Sequence, residues 1–284
     1  MPMPASPLTV ASILDDPAVQ AAVDRWLAGQ QRYRLLRCDP GGDPVAALQE
    51  HGDAIDALLL EQGRLSPEQA QALRERGLLL PAVVIGASGA GPMALHEAEV
   101  HLPVDQLEQL SYNLDAAVSR FLSHGRGDSP QAVAAPGDRG LSDRWRLADR
   151  LQDRLGLAGV FYKRDPSRFL RHLPPQDATD LLRSLQRTYR DLLLQYFRDP
   201  AAANQALESF VNTAFFSDLP ITKTIEIHMN LIDAFAKQLK LEGHRGEFLQ
   251  DYRLALLDVL AHLCEMYRRS IPPDPAMDRS SSDR

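Results

Sequence analysis

The sequence predicts an α/β unit built on a doubly wound parallel sheet, followed by a linker and an all-α four-helix bundle. Three observations carry this reading. Over roughly the first 120 residues short apolar runs alternate with helical patterns, the signal of parallel strands joined by helices. A stretch of Gly, Pro, Ala, Ser and Asp without apolar periodicity comes next. Past residue 177 no strand signal remains, and breakers cut the chain into four helical segments.

Taken in order, strands are predicted over residues 8–14, 33–38, 57–60, 82–85 and 98–101. Helices are predicted over 17–28, with a proline at its start, over 44–51, and over 66–76, where Ser66, Pro67 and Glu68 read as cap, first turn and acidic turn. A helix over 106–122 closes the unit, and five βα repeats in this length fit a flavodoxin-like, receiver-like sheet. The linker begins at Ser123. Within it, residues 143–155 form a basic amphipathic helix with Leu147, Leu151 and Leu155 in steps of four, and 159–162 form a short strand-like patch with Val160 and Tyr162. The bundle helices are expected at 177–197, ended by Asp199-Pro200, at 201–216, ended by Asp218 and Pro220, at 221–241, ended by Gly243, and at 246–269, ended by Pro272-Pro273. Short connections make neighbours antiparallel. The expected divisions are thus 1–122, 123–176, 177–271 and a polar, disordered tail at 272–284.

The 284 residues are 44% hydrophobic and 24% charged, enough apolar material for two cores of usual size. No run approaches the roughly 18 to 20 apolar residues of a membrane span, and the start is too short and Pro-rich for a signal peptide, so a cytoplasmic protein is expected. Cys38 and Cys264 match no disulfide framework or paired metal spacing. A net charge of −7 argues against nucleic acid as a partner. Its distribution is uneven: the acidic front, residues 1–138, carries −9, the middle, 139–171, carries +5, and the rear −3.

Phosphoryl chemistry on a receiver sheet needs acids after strand 1, an Asp after strand 3, a Thr or Ser after strand 4, and a Lys before Pro after strand 5. Asp15 and Asp16 supply the first. The rest fails: strand 3 runs into Glu61, the strand 4 position is Gly86 or Ala87, and Leu102 precedes Pro103. Without nucleophile or lysine, phosphotransfer loses its attacking group and its charge stabilisation. Asp15 and Asp16 are then expected to cap a helix or face solvent, and the unit reads as a pseudo-receiver kept for binding. The GASGAG run at 86–91 lacks the G-K-[ST] ending and the G-x-G-x-x-G spacing of phosphate loops, and RGDS at 126–129 reads as a chance string. No metal is expected at His228, His262, Cys264 and Glu265, because His262 and Cys264, two apart on a helix, cannot face one point. Nor does a Ser-His-Asp or paired-carboxylate arrangement stand out, so no catalytic residue is assigned and the chain is not expected to be an enzyme.

The polar stripes of the last two helices are more informative. Lys223, Glu226, Asn230, Asp233, Lys237 and Lys240 step by three and four, as do Asp258, His262, Glu265 and Arg269. The third bundle helix carries two apolar stripes: Ile225, Met229, Ile232, Ala236 and Leu239, and Ile227, Leu231 and Phe235. Two readings fit, a large bundle core or a dimer whose groove receives a partner peptide.

The runs LAGVFYKRDPSRFL (157–170), EIHMNLID (226–233) and LDVLAHLCEMYRRSIP (257–272) resemble the cyanobacterial circadian clock family KaiA. The resemblance is continuous over 143–272 and looser before it. It implies a non-enzymatic activator of the clock kinase KaiC, working as a domain-swapped homodimer that captures the C-terminal tail of KaiC and so promotes autophosphorylation. It implies sequestration by KaiB, with Leu147, Leu151, Leu155, Val160 and Tyr162 as the KaiB and autoinhibition positions. For the KaiC tail it implies Asp233, Lys240, Asp258, His262 and Glu265. It implies no cofactor, with oxidised quinones as regulatory ligands. Where the family tends to read M-E-L-x-D-E in the third bundle helix, this chain has Asn230 and Ala234, so a less basic or more weakly bound tail is expected.

Overall fold

The computed structural model of the chain describes residues 7–27, 32–39, 42–76, 78–86, 94–127, 164–241 and 247–271. In the first half, β1 (Leu8–Ile13), β2 (Tyr33–Arg37), β3 (Ala57–Glu61), β4 (Ala82–Gly86) and β5 (Val100–Pro103) form one sheet. All neighbours are parallel, in the order β2-β1-β3-β4-β5. This is the doubly wound order expected of a flavodoxin-like sheet. The continuous apolar runs follow from it, because a parallel sheet is covered on both faces. Leu58, Leu59 and Leu60 of β3 are accordingly all buried, as are Val83, Val84 and Ile85 of β4.

The helices α1 (Pro17–Leu27), α2 (Pro44–His51) and α3 (Pro67–Glu75) start where the caps place them. Asp43 accepts from the Val45 amide, and Ser66 and Gln69 form a reciprocal capping box, the side chain of each accepting from the other's backbone amide. Between β4 and β5 no helix occurs among the described residues. β5 also begins two residues later than expected. The cause is Glu99: its buried carboxylate accepts from the amides of Ala94, Leu95 and His96 and contacts the His101 imidazole at 2.8 Å, which folds residues 94–99 into a turn. Burial pushes this carboxyl up, but His101 and the Ala94 and Leu95 amides outweigh burial and hold it below its ordinary value.

A 3-10 segment, Val104–Gln109, leads into α4 (Leu110–Gly127), which runs past the expected end at residue 122. The second half contains α5 (Pro175–Gln195), α6 (Pro200–Phe216), α7 (Ile221–Leu241) and α8 (Arg253–Arg269), the last preceded by a 3-10 segment, Glu247–Tyr252. Asp199 caps α6 by accepting from Ala201 and Ala202. Helix α6 is the central element: Phe210, Phe215 and Phe216 are fully buried, and such side chains each contribute about 1.5–3 kcal/mol on burial. Tyr189 of α5 meets Phe210 edge-on at 4.8 Å. Helix α7, in contrast, buries only Thr224, Ile227 and His228.

Residues 164–173 fall within the expected linker, 123–176, and are packed. Two 3-10 turns, Pro166–Arg168 and Leu170–His172, lie against both halves, and the Leu170 amide donates to the Ser217 carbonyl at 2.7 Å. The expected basic helix at 143–155, the patch at 159–162, the GASGAG run beyond Gly86 and the tail at 272–284 lie outside the described residues.

Candidate functional site

At the carboxyl ends of β1, β3 and β4, where receiver chemistry would occur, the described side chains are engaged with one another. Glu61 ends β3, and its Oε2 accepts from the amides of Asp15 at 2.6 Å and Asp16 at 3.0 Å. The Asp15 carboxylate contacts the Arg64 guanidinium at 2.9 Å. Asp16 Oδ1 accepts from the Ala18 amide, capping α1 as the sequence suggested. At Gly86 a Cβ would lie 2.0 Å from Gln62 Oε1 and 2.6 Å from Gln62 Cβ, so Gln62 occupies the space where a receiver's hydroxyl residue would stand. Arg64 and the two backbone amides thus take up the acids that would otherwise bind a divalent ion. Among the described residues no group of three His, Cys, Asp or Glu is placed to hold a metal ion.

The second candidate is the outer surface of the helical half. On α7 one apolar stripe faces inward: Ile227 is buried and Leu231 and Phe235 pack partly buried against the core. Of the other stripe, Ile225 at 38% exposure, Met229 at 52% and Ala236 lie open, while Ile232 packs partly buried against the core and Leu239 is half-buried. On α8, Ala255, Val259 and Leu263 are buried while Leu254 and Leu257 are exposed. An apolar surface of this kind, rimmed by charge, marks an interaction site. His228 is a buried core histidine: its Nδ1 and the Tyr189 hydroxyl share a hydrogen bond at 3.1 Å, and burial pushes the imidazole below its ordinary value.

The five residues assigned to the KaiC tail fall into two sets. Asp233 and Lys240 are exposed on α7 and make no hydrogen bond or ion pair with other described residues. On α8 the trio Asp258, His262 and Glu265 is already engaged. Asp258 accepts from the Tyr196 hydroxyl, and burial together with that bond pushes the phenol up to about 12. The His262 Nδ1–H donates to the Asp258 carbonyl at 2.8 Å, which leaves Nε2 as its free acceptor. Glu265 takes a bidentate contact from Arg268 and a third bond from Arg269, and these hold its carboxyl down to about 2. Among the described residues no hydrogen bond joins the α7 pair to the α8 trio. Leu147, Leu151, Leu155, Val160 and Tyr162 lie outside the described residues.

Sequence reasoning missed an aromatic rim beside Asp258. Tyr196 and Phe197 meet edge-on at 4.9 Å and Phe197 meets Tyr252 at 5.3 Å, with Phe197 left 55% exposed. Two adjacent aromatics just before the Asp199-Pro200 breaker were the available signal.

It also missed how the halves are joined. Arg168 is buried and donates to Asp115 Oδ2 at 2.8 Å and to the Tyr33 hydroxyl at 2.9 Å, while Tyr33 and Arg32 both donate to Asp115 Oδ1. Burial opposes the charge on Arg168, but Tyr33 and Asp115 outweigh it and the guanidinium stays protonated. Four residues earlier Arg164 grips the bundle, 2.6 Å from Asp218 and about 5 Å from the rings of Phe169, Phe215 and Tyr267. Beside this strap runs a buried polar seam. Gln109 Nε2 donates to Ser184 and Thr188, Thr213 donates to Gln109 Oε1, and Thr188 donates to Gln106 Oε1 at 2.6 Å.

Comparison with known proteins agrees with both halves. The description "KaiA C-terminal domain" matches residues 153–274, and "Circadian clock protein KaiA, N-terminal domain" matches residues 8–125. A circadian clock oscillator protein KaiA of Parasynechococcus marenigrum is 54% identical over 282 residues, covering 98% of this chain and 93% of the relative. One from Synechococcus elongatus is 45% identical over 254 residues, 85% of this chain and 89% of the relative. The crystal structure of the C-terminal domain of Thermosynechococcus elongatus BP-1 KaiA is 50% identical, with a TM-score of 0.32, covering 36% of this chain and 95% of that one. With both its sheet half and its helical half matched, and relatives aligned along almost its whole length, the chain belongs to the KaiA family of circadian clock proteins.

Proposed function

We propose that this chain is a non-enzymatic clock component that stimulates autophosphorylation of KaiC by capturing its C-terminal tail, acts as a homodimer, and is sequestered by KaiB. The observation that carries the reading is the open apolar stripe of α7, Ile225 and Met229, bordered by the exposed polar residues of α7 and α8. A surface apolar on two sides of one helix suits pairing with a second copy, and the polar border suits orienting a peptide in the resulting groove. Activation is then a population shift: a ligand that binds only the extended tail favours the tail-exposed, kinase-active state by its differential affinity.

Within that trio His262 is the group best placed to meet a peptide, because its Nε2 is uncommitted while Glu265 is saturated by arginines. KaiB sequestration rests on the family resemblance at 147–162. No cofactor enters this reading, and an oxidised quinone would act as a regulatory ligand. Among the described residues no helix is long and apolar enough to cross a membrane. A KaiC autophosphorylation time course tests the proposal. The chain is expected to raise the rate and His262→Ala to reduce the stimulation while leaving circular dichroism unchanged; no stimulation of a cognate KaiC would overturn it.

The competing reading, a response-regulator phosphotransfer protein, is disfavoured by the contacts of Glu61 with the Asp15 amide, of Arg64 with Asp15, and of Gln62 with Gly86. Labelling of the chain by acetyl phosphate would revive it.

A further inference from the structure

Between the sheet half and the helices lies a cavity of about 70 Å³, walled by Pro103 and Gln106 on one side and by Asp191 and Gln195 of α5 and Gln205 and Ser209 of α6 on the other. A water occupies roughly 30 Å³ of liquid, and an apolar cavity that holds benzene measures about 150 Å³. At about half the size of the benzene-holding cavity, this space suits waters or one compact polar group and is too small for an aromatic or quinone ring.

Its polar lining is unusual in what it leaves unpaired. Ser209 is 2% exposed and its Oγ has no hydrogen-bond partner; the same is true of the buried Gln205 Oε1, one helical turn away on α6. Asp191 uses Oδ2 to accept from Gln106 Nε2 at 3.1 Å, which leaves Oδ1 to accept another donor. Burial and the neighbouring Asp105 push the Asp191 carboxyl up, so an added positive charge would relieve it. The cavity thus presents up to three acceptor oxygens, with the Asp191 and Asp105 carboxylates set against Arg187 and Arg190 of α5. A primary ammonium brings three donors, no acceptor and one positive charge, and matches this set better than water does.

We propose that the cavity at Asp191, Gln205 and Ser209 is a recognition site for the ammonium group of a small amine. Because its walls come from both halves, the amine binds only the docked arrangement and stabilises it by mass action. The link is direct: Asp191 holds Gln106, Gln106 accepts from Thr188, and Thr188 accepts from Gln109 at the heart of the seam.

The test titrates methylammonium chloride into the full chain at constant ionic strength, beside tetramethylammonium chloride, which carries the same charge and no N–H. Side-chain amide resonances of Gln106 and Gln205 and hydrogen exchange across the seam are the readouts. The expected result is saturable shifts and slower exchange with methylammonium only, weakened roughly tenfold or more in Asp191→Asn and in Ser209→Ala, the weight of one charge-assisted hydrogen bond. Should Asp191→Asn not fold, Ser209→Ala decides. Equal responses to both cations, no saturation, or saturation unchanged in Ser209→Ala would overturn the site and leave it a water-filled cavity.

Discussion

Asp115→Ala is expected to cost the protein about 3–5 kcal/mol. In the native chain its two oxygens take hydrogen bonds from Arg32, Tyr33 and Arg168, all within 3.0 Å. Removing the carboxylate leaves Arg168, buried beneath Tyr112 and Tyr33, as a charge with no anion in contact, and breaking a buried pair on one side carries this penalty. Removing both partners is different: Asp115→Ala combined with Arg168→Leu deletes the buried charge and is expected to recover at least about 1.5 kcal/mol of the loss. Urea unfolding followed by fluorescence and circular dichroism gives the midpoints for wild type, both single variants and the double. The single variant should lower the melting temperature by roughly 2–4 °C per kcal/mol in a chain of this size. A loss below about 1 kcal/mol for Asp115→Ala, or a double variant no more stable than it, would show that Arg168 is not held by this carboxylate.

Three other expectations follow from particular contacts. His228 has a lowered pKa in the folded state, so the stability it contributes is fully present above the unfolded value near 6.5 and is lost as pH falls from there through its lower folded value. Denaturation midpoints should therefore drop between neutral and mildly acid pH, and His228→Gln should flatten that drop. Gly86→Thr restores the hydroxyl residue of a receiver yet drives a Cβ into Gln62, so thermal unfolding should show a loss of about 1–3 kcal/mol from overpacking and acetyl phosphate should still not label the chain. Met229→Glu places a charge on the open stripe of α7, and sedimentation should report a monomer with unchanged helicity; an unaltered dimer would move the pairing surface elsewhere.

The sheet was legible because its physics is local. Parallel strands covered on both faces read as unbroken apolar runs, hence Leu58 to Leu60 and Val83 to Ile85, and the helices carry their caps at Asp43, Ser66 and Asp199. β5 was misplaced by two residues because Glu99, adjacent to an apolar run, spends its carboxylate on three amides of its own turn, a choice that alternation does not encode. The polar stripes of α7 and α8 followed from helical spacing. Their partners did not: Tyr196 is 62 residues from Asp258, and Gln109 is 75 to 104 residues from the Ser184, Thr188 and Thr213 it joins. Each of those polar residues looks like an ordinary helix-surface position until the other half is docked on it. The strap misled for the same reason, since Asp165-Pro166 signals a break and gives no sign that Arg164 and Arg168 on either side are anchored to different halves.

The open stripe on α7 also bears on how long a molecule of this protein would last by itself. A copy without a mate presents Ile225, Met229 and their neighbours to whatever else is in solution, including chaperones, proteases and other unpaired copies. Newly made chains at low abundance would be cleared fastest, and those that find a mate would persist. Under the proposed pairing, protein level would then respond to synthesis more steeply than in proportion.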